Sequence, residues 1–204
     1  LQENMPNIHE NPEILNFLHN YTDLGYGSYI LFMLIGTALT ILIQSSSATM
    51  ALTLVMCANG WIGFDIAASM VLGENIGTTI TANLAAMVAN TTAKRAAFAH
   101  FLFNLFGVAW VLAIFPFFLG WVAQLSIYLG IGDPFTSVGS VPVALSLFHT
   151  CFNVANVLIL IWFTKVIAKL VTHIIKSKES ADDAFTLKHI KIGLLSTPDA
   201  SLFL

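Results

Sequence analysis

Residues 1 to 93 contain no lysine and no arginine, and across all 204 residues charged side chains make up only 9%. A water-soluble domain carries roughly a quarter charged residues, so this shortage excludes a surface covered for water. The stretches 24 to 64, 96 to 132 and 134 to 164 hold no Asp, Glu, Lys or Arg at all, while 57% of the chain is hydrophobic. Eight scattered basic residues and a net charge of -3 exclude a phosphate-tracking patch, and with it a nucleic-acid partner. Only two cysteines occur, Cys57 and Cys151, both in apolar stretches without CxxC or metal spacing. They read as small buried hydrophobes, with no disulfide and no redox role. Residues 1 to 27 have no basic n-region or apolar h-region, which excludes a signal peptide. They read as a polar segment leading from something longer.

The pattern that remains is that of an all-α polytopic membrane protein. The basic residues are Lys94, Arg95, Lys165, Lys169, Lys176, Lys178, Lys188 and Lys191. Basic segments beside membrane spans stay cytoplasmic. A loop at 91 to 95, everything after 165 and the polar tail 177 to 204 are therefore expected inside, and the Gly132-Asp133-Pro134 turn outside.

Ser28 to Ala58 would measure about 46 Å as one helix, well beyond a hydrocarbon core of about 30 Å. Its first arm, Ser28 to Ile43, covers about 24 Å, and the polar island Gln44-Ser45-Ser46-Ser47-Ala48-Thr49 lies at the joint. A broken helix or re-entrant hairpin is predicted there, since polar groups at membrane depth need protein or a wet cavity around them. After an Asn59-Gly60 turn, a second island follows, Gly73-Glu74-Asn75-Ile76-Gly77-Thr78-Thr79, with Thr81 just beyond. Two glycines four apart loosen a helix, so a second discontinuous element is predicted. Two conventional spans come next, Ala96 to Leu119 and Val141 to Thr164, with Trp121 to Leu129 between them in the interface. Each span opens on a His-Asn pair four apart on one helix face, His100 with Asn104 and His149 with Asn153. A lone His or Asn on an apolar helix is more often hydrogen-bonded glue than a ligand, so these four are weighed only as lining residues.

The islands QSSSAT and GENIGTT resemble the type II sodium/phosphate cotransporter family, whose two inverted repeats each carry a QSSS and a G-x-N-x-G-T element. The resemblance continues through AKRAAFAHFLFNLFGV and LSLFHTCFN to LKHIKIGLLSTP, most of residues 24 to 198. Only one of each motif is present, so the chain resembles the second repeat without the first, one half of an inverted-repeat transporter. The organisation this implies is a linker at 1 to 27, a repeat core at 28 to 95, two transmembrane helices and an outer loop at 96 to 176, and the cytoplasmic tail. The family's activity implies sodium-coupled symport of inorganic phosphate by alternating access in a bacterial inner membrane. Na⁺ would be the coupling ion, membrane lipid and the missing repeat would be partners, and no organic cofactor is needed.

By the same resemblance Gln44, Ser45, Ser46, Ser47 and Thr49 line a phosphate and sodium site, with Gly73, Glu74, Asn75, Gly77, Thr78 and Thr79 facing them. The Na⁺ candidates are Gln44, Ser46, Ser47, Glu74, Asn75 and Thr78, and Asn104 and Asn153 are possible lining. Hydroxyls donate to phosphate oxygens and offer lone pairs to Na⁺. The structural alternative is that Ser and Thr bond back to their own helix and that the glycines only permit tight helix packing. Glu74 departs from the family pattern, where Ala or Ser is frequent. It is the only acid in residues 66 to 132, and it could ligate Na⁺, remain protonated, reach a wet vestibule, or pair with Lys94 or Arg95. Three adjacent serines without a nucleophile-elbow pattern argue against a serine hydrolase. Two other readings stay open: transport of another small oxyanion or carboxylate, and a non-transporting membrane interaction subunit.

Overall fold

The computed structural model describes residues 20 to 176, with Glu13 and Asn16 before them. The rest of the N-terminal segment and the tail 177 to 204 lie outside the described residues. Among those described, the structure is helical: α1 (Tyr26–Ile43), α2 (Ser46–Ala58), α3 (Phe64–Ala86), α4 (Thr91–Ala113), α5 (Phe115–Tyr128), α6 (Val141–Leu160) and α7 (Thr164–Ile174). Three runs are long and apolar enough to cross a membrane: Tyr26–Ile43, Thr91–Ala113, and Val138–Ile174, which contains α6 and α7.

The first helix stops where the sequence predicts. Gln44 takes the left-handed conformation (φ 56°), its N–H closing the helix on the Thr40 carbonyl at 2.8 Å. Ser45 is extended, and its Oγ accepts from the Ala48 N–H at 3.3 Å, so it caps the start of α2. The chain thus reverses in two residues with both helix ends provided for. Asn59-Gly60 turns it again, with Gly60 at φ 69°.

α1 and α3 run side by side in the same direction, since Tyr29 meets Asp65, Thr37 meets Gly73 and Thr40 meets Gly77. α2 doubles back between them in sequence, with Thr53 against Glu74. α1 and α2 therefore form a hairpin whose tip leaves Gln44 exposed and Ser45 half-buried.

The second predicted break is not there. α3 runs unbroken from Phe64 to Ala86 through both glycines. The reason is packing: a Cβ at Gly73 would meet the Met33 carbonyl and lie 2.8 Å from the Thr37 nitrogen, and one at Gly77 would lie 2.7 Å from Thr40 Cβ. A Cβ at Gly36 on α1 would meet the Met70 carbonyl in the same way. Small residues here let two backbones touch. Every hydroxyl of the island also finds an acceptor on its own helix: Thr78 donates to the Glu74 carbonyl (2.8 Å), Thr79 to Ile76 (2.7 Å) and Thr81 to Thr78 (2.8 Å). The island costs the helix no unmet polar group.

Two further expectations are corrected. The span Ala96 to Leu119 is interrupted at Ile114, because Pro116 near the start of α5 lacks an N–H and clashes with a preceding turn. Trp121 to Tyr128, expected as a short apolar stretch in the interface, form the second half of α5, which buries Leu119, Val122, Ala123 and Ser126. The basic pair Lys94-Arg95 lies in the first turns of α4, one turn beyond the Asn90 cap, rather than in a loop.

The core is aromatic where α1, α4, α5 and α6 meet: Phe115 stands edge-on to Tyr29 (4.8 Å) and Phe148 (6.1 Å), and Phe118 to Phe148 (5.6 Å) and Trp110 (5.9 Å). Asn156, 0% exposed, ties α6 to α4 by donating to the Phe103 carbonyl (3.1 Å) and accepting from Trp110 Nε1 (3.3 Å). Outward helix faces stay apolar, as lipid requires: Leu42 is 78% and Phe117 76% exposed.

Candidate functional site

The start of α2, the middle of α3 and the first half of α6 line a partly open cavity of about 360 Å³. Its walls are Ser46, Ser47 and Met50 from α2, Glu74, Asn75 and Thr78 from α3, and His149 from α6. That volume lies within the range of small-ligand pockets. Ser46 and Ser47 open α2, so unpaired backbone N–H groups and the positive end of a helix dipole lie beside the cavity. No Lys or Arg is among the lining residues.

Glu74 is 3% exposed, and its Oε1 lies 2.9 Å from Thr53 Oγ1, which is itself 3.1 Å from the Thr49 carbonyl. One hydroxyl carries one proton. Thr53 therefore donates to an ionised Glu74, or donates to Thr49 and accepts from a protonated Glu74. Pairing with the basic residues is not observed: Arg95 Nε donates to the Ile175 carbonyl at 2.9 Å. Asn75 donates from Nδ2 to the Val71 carbonyl at 3.0 Å, which leaves its Oδ1 facing His149 Nε2 at 3.4 Å.

The candidate residues separate into two groups. Ser46, Ser47, Glu74, Asn75 and Thr78 come together in the cavity. Gln44, Ser45 and Thr49 build the break, with Thr49 Oγ1 donating to the Ser45 carbonyl at 3.0 Å. Gly73 and Gly77 face α1, and Thr79 is buried on its own helix. Asn104 donates to the His100 carbonyl (3.2 Å) and Asn153 to His149 (2.8 Å), so both serve their own helices. His100 lies against Ala99, Phe103 and Thr164, away from the cavity. His149, a possible lining residue on sequence, forms one wall of the cavity. The fourfold spacing marked it and His100 alike, so only the fold separates them.

The fold is that of a helical membrane protein with a broken-helix hairpin beside a cavity lined by hydroxyl, amide, imidazole and carboxyl groups and by no Lys or Arg. The chain is a member of the Na+/Pi-cotransporter family, whose model matches residues 15–195. It is 37% identical over 146 residues to the uncharacterized protein YqeW of Bacillus subtilis, covering 72% of this chain and 44% of that protein. It is 32% identical over 178 residues to the putative inorganic phosphate export protein YjbB of Escherichia coli, covering 86% of this chain and 30% of the other. It is 40% identical over 89 residues to human sodium-dependent phosphate transport protein 2C, covering 42% and 15% respectively. The chain thus spans less than half the length of these curated relatives. No solved structure matches it.

Proposed function

We propose that the cavity between α2, α3 and α6 is the phosphate and sodium site of a sodium-coupled phosphate transporter, and that this chain supplies one half of it. The observation that carries this reading is the convergence of Ser46, Ser47, Asn75 and Thr78 with one carboxylate, Glu74, in a cavity whose lining holds no other charged side chain. Hydroxyls and the α2 N-terminus suit an oxyanion. Amide, hydroxyl and carboxylate oxygens suit Na⁺. A dianion in a cavity with no Lys or Arg needs cations beside it, and co-bound Na⁺ supplies them, which is the physical basis of coupling. Gln44, Ser45, Thr49, Gly73, Gly77 and Thr79 act one step back, holding the break and the α1 to α3 contact that shape the cavity.

A repeat related to this one by a pseudo-two-fold axis would complete the site, and rocking of one half against the other would give alternating access. The basic residues of α4 and α7 support an orientation with the Lys94 end on the cytoplasmic side of a bacterial inner membrane and the Asp133 turn outside. The E. coli relative's name favours a second reading, in which the physiological flux is export. Proteoliposomes of the complete polypeptide separate these: an imposed inward sodium gradient should drive phosphate uptake. Asn75→Ala should then lower apparent phosphate or sodium affinity by about 1 to 3 kcal/mol, the cost of unpairing a buried polar group. Phosphate efflux indifferent to sodium would support export. Sodium-driven flux unchanged by Asn75→Ala would contradict the site.

A further inference from the structure

The contact between His149 and Asn75 joins α6 to α3 across the cavity. Asn75 Nδ2 is committed to the Val71 carbonyl at 3.0 Å, so the amide is oriented with its oxygen toward the cavity. An amide oxygen only accepts, so the 3.4 Å contact requires His149 Nε2 to carry the hydrogen and donate it. That oxygen is also the one side-chain atom of Asn75 able to ligate a cation. It is occupied by a hydrogen bond longer than the usual range of about 2.7 to 3.2 Å.

We propose that His149 is a positioning residue that couples anion binding to cation binding. With no anion present its Nε2–H covers Asn75 Oδ1. An entering phosphate takes that hydrogen bond and releases the amide oxygen to sodium. The inference rests on the cavity being the phosphate and sodium site. The exchange is favourable because a hydrogen bond to a charged oxygen is roughly twice as strong as one between neutral groups. The groups lining the cavity with His149 are Ser46, Ser47 and Met50 from α2 and Glu74, Asn75 and Thr78 from α3; of these acceptors the Asn75 oxygen is the one within reach of Nε2, and an anion competes with it there. Coupling is reciprocal: if phosphate releases a sodium ligand, sodium must tighten phosphate by the same factor.

Equilibrium binding to the complete polypeptide tests this, with labelled phosphate at low and saturating sodium, and sodium at low and saturating phosphate. The wild type should show coupling of about tenfold or more in both directions. His149→Phe keeps an aromatic ring and removes the donor. It should reduce coupling to about twofold or less, weaken phosphate, and strengthen sodium binding about threefold without phosphate, since the amide oxygen is then free. His149→Gln, which retains an N–H donor, should restore part of the coupling. Wild-type coupling in His149→Phe would overturn the proposal. So would an equal weakening of sodium without phosphate, which is the signature of a merely structural role. If Ser46→Ala and Asn75→Ala also leave both ligands bound as in wild type, the site assignment itself fails, an outcome distinct from loss of coupling alone.

Discussion

The two polar islands have similar composition and opposite structural effects. Residues 44 to 49 stop one helix and start another, whereas residues 73 to 79 pass through α3 without a break. The difference lies in what each surrounds itself with. In the first, Gln44 goes left-handed and Ser45 caps the next helix, so side chains replace helical backbone bonds. In the second, hydroxyls and an amide bond back to carbonyls one turn earlier, and the glycines are filled by the backbone of α1. Glycine in a membrane helix here marks close approach rather than flexibility.

That comparison can be broken at its tightest point first. Gly73→Ala should destabilise the protein by about 3 kcal/mol, the upper range for overpacking, because the new Cβ meets α1 backbone that cannot swing aside. A large fall in melting temperature in detergent checks this. If glycine served to loosen α3, alanine would stabilise instead. Thr53→Val comes next: it removes the hydrogen-bond partner of buried Glu74 and should cost about 1 to 3 kcal/mol. Glu74→Leu in the same background should recover part of that loss, and a double-mutant cycle of melting free energies measures it. The smallest effects belong to the break. Ser45→Ala should cost about 1 kcal/mol through the lost cap, while Gln44→Gly should be neutral or slightly stabilising, since glycine tolerates φ 56°.

Much of this was legible in the sequence because membrane depth makes polar groups conspicuous. A QSSS run inside an uncharged stretch too long to be one span announces a helix break, and Asn59-Gly60 announces a turn. The continuity of α3 was not legible, since a pair of glycines looks the same whether it loosens a helix or receives a neighbour. Pro116 did signal an interruption inside the span drawn from Ala96 to Leu119, but hydropathy passes smoothly across it. Tertiary contacts decided the rest. Asn156 ties α6 to α4 from within an apolar run, and His149 enters the cavity while His100, in the same local motif, does not. Helical spacing states which residues share a face, and only packing states what that face meets.

The most direct test of the cavity as the binding site is substrate protection at Ser47. In the complete polypeptide with Cys57 and Cys151 replaced, Ser47→Cys should react with a small thiol reagent. Phosphate and sodium together should slow that reaction about tenfold, as occupancy of roughly nine-tenths implies. Ser146→Cys, on an exposed part of α6 outside the cavity, should react at the same rate with or without them. Equal rates at Ser47→Cys in the presence and absence of saturating phosphate and sodium would contradict the account.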